Sequence, residues 1–174
     1  IGEEFNWVRE VSVELTAQML ATLFDIPQED RMKLIYSSDT IQALSDPEQF
    51  ENPEEGFKIL FECLAYFQGL YDSRKETAAE FNLISMLAHD ESTNDMTPQE
   101  LLGNVMLLIV GGNDTTRNSI SGGVLALNQN PAEYEKLLQN PTLIPKMVPE
   151  MIRWQSPVAH MARTALQDTE LGGK

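Results

Sequence analysis

The stretch Leu107–Ile120, LLIVGGNDTTRNSI, decides how this chain is read. An apolar run meets two glycines, then Asn113, Asp114, Thr115 and Thr116, then Arg117. Such a sequence is either a loop between two elements or a departure from the usual composition inside one. The flanks choose. Upstream, Thr97-Pro98-Gln99-Glu100 supplies an N-cap threonine, a proline at the first helical position and a glutamate at the third. Threonine and glutamate can there satisfy each other's free backbone N–H groups, a capping box. No proline follows until Pro131. The pattern predicts one helix over residues 97–130, about 50 Å long at roughly 1.5 Å per residue.

That helix would contain Gly103, Gly111, Gly112, Gly122 and Gly123. Against alanine these five cost about 5 kcal/mol in helix propensity, a large sum beside a typical stability of roughly 5–15 kcal/mol. Close packing of a neighbouring helix accounts for Gly122 and Gly123. It accounts less well for Gly111 and Gly112, whose neighbours are polar. On a helix Leu108, Gly111, Gly112, Thr115, Ser119 and Gly122 share a face, a shallow trough with one hydroxyl at its centre. Thr115 can bond back to the carbonyl of Gly111 or Gly112, which loosens and bends a helix. A flat, bulky ligand fits such a trough, with Asp114 one position round to supply or relay protons.

Working outward, helical periodicity dominates. Val11, Leu15, Met19 and Leu20 predict a helix over about residues 8–24, ending at Asp25-Ile26-Pro27. A second helix starts behind Gln28 with Met32, Ile35 and Tyr36. The acidic, proline-bearing LSDPEQFENPEEG reads as a surface loop. A third helix, about 54–73, aligns Phe57, Leu60, Phe61, Leu64, Phe67 and Tyr71, and a shorter one covers about 77–88. Beyond the long helix, Pro131 opens a short helix through Leu138, and another runs to about Gln155. The segment ARTALQDTELGG reads as strand and turn. The fold is predicted mainly α with a small β fragment at the end.

Twelve Lys and Arg stand against twenty-seven Asp and Glu, a net charge of −15. That balance repels nucleic acid and anionic membrane surfaces. The longest apolar run, Val105–Val110, is far below the roughly 18–20 residues a membrane span needs. A lone cysteine, Cys63, excludes an internal disulfide and suits a reducing cytoplasm. The opening IGEEFNWVRE lacks the marks of a signal peptide, and both ends read as cut rather than finished. Phosphate-cradle motifs fail for want of a lysine and a preceding strand. A calcium loop lacks its alternating oxygens. His89 and His160 are too isolated for a metal site and read as surface or capping histidines.

The hexapeptide Gly111-Gly112-Asn113-Asp114-Thr115-Thr116 resembles the central-helix signature of the cytochrome P-450 haem-thiolate monooxygenases, [Ala/Gly]-Gly-x-[Asp/Glu]-Thr-[Thr/Ser]. The family's Glu-x-x-Arg follows as Glu150-Met151-Ile152-Arg153. By spacing alone this is a surface i,i+3 ion pair; in the family it is a buried structural element beneath the haem. Pro149 leaves the pair intact if it is the first helical residue. Arg163 matches the family position whose guanidinium binds a haem propionate, a role suited to its bidentate fork. The resemblance covers residues 1–174 in helix order. It implies one partial domain, the central part of the cytochrome P-450 fold with a long kinked central helix. The cysteine ligand would lie downstream, and no metal ligand within this stretch. Cys63, mid-helix without a glycine-rich loop, is not that ligand.

What the resemblance implies is a monooxygenase with haem b and O2 as cofactors, taking electrons from NADH through a ferredoxin and its reductase. Thr115 would hydrogen-bond the distal oxygen and Asp114 would relay protons to it, as the catalytic pair. Gly111 and Gly112 would leave room for dioxygen beside the haem. Leu108, Val158 and Ala159 would line an apolar substrate pocket. Glu150 and Arg153 would be structural. Within the family VGGNDTTRNS and IRWQSPVAHMARTA look like the soluble, cytoplasmic bacterial hydroxylases of terminal carbons in medium-chain n-alkanes or fatty acids. The stretch alone, without the cysteine, is expected to be inactive. The rival reading is an acidic, all-helical protein-interaction module without chemistry. It fits the composition equally well and gives no reason for Asp114-Thr115 inside a glycine-weakened helix.

Overall fold

The computed structural model describes residues 2–44 and 53–173. The chain enters through a π-helical segment, Val8–Val13, that continues directly into α1, Glu14–Phe24. Asp25 closes α1 in the left-handed conformation at φ 55°, and Pro27 prevents resumption. Then follow α2, Arg31–Leu44, and α3, Pro53–Lys75. The expected acidic loop falls mostly on residues outside those described; Pro53 already opens α3. The helix expected over 77–88 is the shorter α4, Leu83–His89. Asn82 caps it by accepting from the Ser85 amide at 2.8 Å, so no helical turn forms before it. His89, in its last turn, is bracketed by the carbonyls of Ser85 (2.8 Å) and Thr77 (3.0 Å), a capping role.

The long helix forms as the sequence requires. α5 runs unbroken over Pro98–Gln129, 32 residues, with no π or 3-10 turn inserted. Its capping box is complete: the Glu100 amide donates to the Thr97 hydroxyl, and the Thr97 amide donates to the Glu100 carboxylate at 2.8 Å. Pro131–Gln139 forms α6 and Ile144–Gln155 forms α7. Pro149 therefore lies inside α7 rather than opening it. Pro145 already occupies the tolerated first turn, and Pro149 leaves one carbonyl of that turn without its usual donor.

α5 is the axis against which α1, α2, α3, α6 and α7 pack. Its N-terminal half carries the core, where Leu101, Val105 and Ile109 meet Leu20, Phe24, Leu34, Phe67, Tyr71 and Ile84. Phe24 and Phe67 pack edge-on with centroids 5.4 Å apart. Fully buried, such side chains contribute roughly 1.5–3 kcal/mol each. The C-terminal half of α5 meets α7, and neither α6 nor α7 holds a buried residue.

Several expected apolar stripes turn out rotated. In α1 the buried side is Thr16, Ala17, Leu20, Ala21 and Phe24, whereas Leu15 and Met19 are exposed. In α3 the stripe is Cys63, Phe67 and Tyr71, with Phe57 and Phe61 outside it. In α2 Met32 and Tyr36 face outward, while Leu34 and Ile35 face in. The predicted β fragment is not formed: among the described residues there is no strand, and residues 158–173 are exposed irregular chain. A strand needs a partner for its backbone groups, and none of the described segments lies beside this one in a ladder.

Candidate functional site on the central helix

The middle of α5 has two different sides. On the open side, a Cβ at Gly111 would meet no atom within 4 Å. Thr115, half-buried, donates its hydroxyl proton to the Gly111 carbonyl at 2.8 Å, and Ser119 donates to the Thr115 carbonyl at 2.7 Å. These back-bonds give the carbonyls a second donor without breaking the ladder.

Gly112 belongs to the other side. A Cβ there would sit 2.9 Å from the Leu20 Cδ2 in the core, so Gly112 lets α1 cross α5 closely and does not floor the trough. Gly122 and Gly123 serve packing as anticipated. A Cβ at Gly123 would come within 2.6 Å of the Met151 sulfur, and one at Gly122 would collide with the Gln155 side chain.

Asp114 points inward. It is 8 % exposed, beside the fully buried Asn113. One carboxylate oxygen pairs with Arg117 at 2.6 Å and accepts from the Asn113 amide at 3.3 Å. The other accepts from the Ser38 hydroxyl at 3.3 Å and from the Gln42 amide, both on α2. Arg117 also reaches Asp39 of α2 at 3.0 Å. On the α1 side, the Thr16 hydroxyl lies 3.0 Å from the Asn113 Oδ1. Burial pushes the Asp114 carboxyl above its ordinary value; Arg117 pulls it down, Asp39 pushes it up again, and Ser38 pulls it down. No hydrogen bond joins Asp114 to Thr115 in this arrangement. Asn113 and Arg117 stand in the opening stretch without a role assigned to them, and Thr16, Ser38 and Gln42 carry no sequence motif. Only the polar run beside an apolar one hints at them.

The remaining expected residues are not gathered into one site. Leu108 packs partly on the core. Val158 is 51 % exposed and Ala159 is exposed, so neither closes a pocket over Leu108. Arg163 is exposed and donates to the neighbouring Ala162 carbonyl at 2.9 Å. Glu150 and Arg153 do form a two-bond ion pair, at 2.6 and 2.7 Å, but both lie exposed rather than buried. A groove of about 390 Å³ between α5, α6 and α7 is lined by Leu127, Leu137, Met147, Met151 and Trp154 and touches none of the other site residues except Glu150. Cys63 is buried, and desolvation raises its thiol pKa. Among the described residues no cluster of His, Cys, Asp and Glu could hold a metal ion.

The sequence model of the family described as Cytochrome P450 matches residues 2–142. The chain belongs to the cytochrome P450 family. Linalool 8-monooxygenase of Pseudomonas putida is 35% identical over 175 residues, covering 100% of this chain and 43% of its own length. Steroid C26-monooxygenase of Rhodococcus jostii is 36% identical over 97% of this chain and 35% of its own length. Among solved structures, cytochrome P450-153 of Novosphingobium aromaticivorans superposes with a TM-score of 0.85 at 46% identity, covering 99% of this chain and 41% of that one. The chain thus spans less than half the length of these P450 relatives. Among the described residues, no helix is long and apolar enough to cross a membrane.

Proposed function

We propose that this chain is the central part of a single P450 domain whose complete form is a haem-dependent monooxygenase, inserting one oxygen atom of O2 into a C–H bond. The observation that carries the reading is a half-buried Thr115 hydroxyl on a glycine-opened face of a long helix, next in sequence to a buried carboxyl. The residues present fit haem on that face. Gly111 leaves backbone accessible to a flat ring there; Arg163 has the right chemistry for a propionate but stands apart from that face, exposed in irregular chain. They do not supply a thiolate for the haem iron: Cys63 lies in the core between α2 and α3, where desolvation keeps its thiol protonated. The proposed ligand is a glycine-flanked cysteine beyond this stretch.

When bound, the haem iron supplies the site at which dioxygen is reduced and its oxygen–oxygen bond broken. The chain's own residues govern protons. Thr115 holds its hydroxyl at the open face and can turn it from the Gly111 carbonyl toward an oxygen lying there. Asp114, in contact with exposed Gln42 and, by way of Arg117, with exposed Asp39, stores and releases the proton, exchanging a partner on α2 to serve the Thr115 side. Leu108, with Val158 and Ala159 folded over it, would place an apolar substrate by shape alone, since an alkane offers nothing to hydrogen-bond. Terminal hydroxylation of medium-chain n-alkanes or fatty acids is the favoured reaction. It is supported by the resemblance carried by the VGGNDTTRNS and IRWQSPVAHMARTA segments. Electrons would come from NADH through a ferredoxin and its reductase in the cytoplasm.

In the full-length enzyme, Thr115→Ala should uncouple turnover: NADH consumption persists while hydrogen peroxide replaces alcohol. An unchanged alcohol yield per NADH would refute the role given to Thr115. The parent reading frame provides a second check: a glycine-flanked cysteine encoded downstream of Lys174 supports the reading, and its absence would sink it.

A further inference from the structure

Asn113 is fully buried between α1 and the Asp114 carboxyl, and its two amide ends face opposite ways. Its nitrogen donates to the Asp114 Oδ1 at 3.3 Å, and its oxygen lies 3.0 Å from the Thr16 hydroxyl. The Thr16 hydroxyl has one proton and three acceptors in reach: Asn113 Oδ1, the Val13 carbonyl at 3.0 Å and the Ser12 carbonyl at 3.1 Å. The two carbonyls are brought side by side at the junction of the π segment and α1.

This geometry has a second, fully satisfied arrangement. With Asp114 ionised, the Asn113 nitrogen donates to the carboxylate and Thr16 donates to the Asn113 oxygen. With Asp114 protonated, the amide can turn over. The carboxyl O–H then donates to the Asn113 oxygen, the Asn113 nitrogen donates to the Thr16 oxygen, and the Thr16 proton turns to the Ser12 or Val13 carbonyl. No polar atom of this network is orphaned in either state. The other groups facing Asp114 tolerate both states as well. Arg117 keeps Asp39 when Asp114 is neutral, and Ser38 and Gln42 can donate to a neutral carboxyl oxygen.

We propose that Asn113 is a positioning residue whose amide reverses with the protonation of Asp114, and that Thr16 of α1, with the carbonyls of the π segment, makes that reversal possible. The inference rests on the relay role of Asp114 only for its bearing on turnover; the reversal itself is a property of the polypeptide.

The test is a pH titration of the full-length protein followed at two labelled sites: the Asn113 side-chain amide by NMR and the Asp114 carboxyl by infrared absorption, assigned with Asp114→Asn. Both signals should titrate with one midpoint. Thr16→Val should abolish the Asn113 response while Asp114 still titrates, and Thr16→Ser should restore it. Asn113→Leu should raise the Asp114 midpoint, because the bond lost to the ionised form is charge-assisted and the stronger of the two. An Asn113 amide that stays constant while the Asp114 of the unmodified protein titrates overturns the proposal, whether or not any variant folds. Alcohol yield per NADH in Asp114→Asn is read separately. If it is unchanged while the two signals still titrate together, the relay role fails and the reversal stands.

Discussion

At the scale of single residues, the pair Asp114-Thr115 behaves as two opposites. Thr115 was legible because its back-bond to Gly111 is local, four residues away in one helix. The surroundings of Asp114 were not, because Ser38 and Gln42 are 76 and 72 residues distant and no periodicity points from one to the other. The raised pKa has a stability consequence. Between its ordinary value of 3.8 and its folded value, the native state binds more protons than the unfolded chain. Stability from this group is therefore complete below the unfolded pKa and is lost as pH rises through the folded one. Asp114→Asn cannot ionise, so the melting temperature of the variant should gain on the wild type as pH rises from about 4 and level off above the folded pKa. A gain that shrinks with rising pH would contradict the burial described for Asp114.

At the scale of elements, α5 was legible to the residue because its start is written in a capping box and its end in Pro131. The faces of α1 and α3 were not. Apolar residues on them exceed what one core can cover, so periodicity alone picked Leu15, Met19, Phe57 and Phe61, all exposed. In α1 the buried side instead includes Thr16, whose polar bond to Asn113 no hydrophobic pattern marks. Adjacent glycines in α5 should respond differently to alanine. Gly111→Ala gains about 1 kcal/mol of helix propensity in open space. Gly112→Ala gains the same propensity but forces its methyl against the Leu20 side chain, which is 3% exposed and boxed in by the core. Such overpacking costs about 1–3 kcal/mol. Thermal melting should therefore rank Gly111→Ala above wild type and Gly112→Ala at or below it. If Gly111 also makes room for haem, the first variant will be the more stable and the less able to bind it.

At the scale of the whole molecule, the N-terminal half of α5 is a finished core and the C-terminal third is an exposed scaffold. The family resemblance implies a buried pair at Glu150 and Arg153 and a propionate-binding role for Arg163. Burial depends on what packs against a segment, and nothing among the described residues covers these. Trypsin should accordingly cut the isolated chain first after Arg163, in exposed irregular structure, and leave α1–α5 for later. In a full-length P450 the same bond should be protected, and equal cleavage rates would argue against the proposed placement. Cys63 gives the molecule one more property. It is the chain's sole cysteine, 8% exposed in α3 against α2, and desolvation keeps its thiol protonated. At the foot of a narrow crevice between the two helices, the sulfur meets a thiol reagent freely when α2 and α3 part. The labelling rate of this one sulfur is thus a built-in clock for how often the core opens. It ticks without any introduced probe.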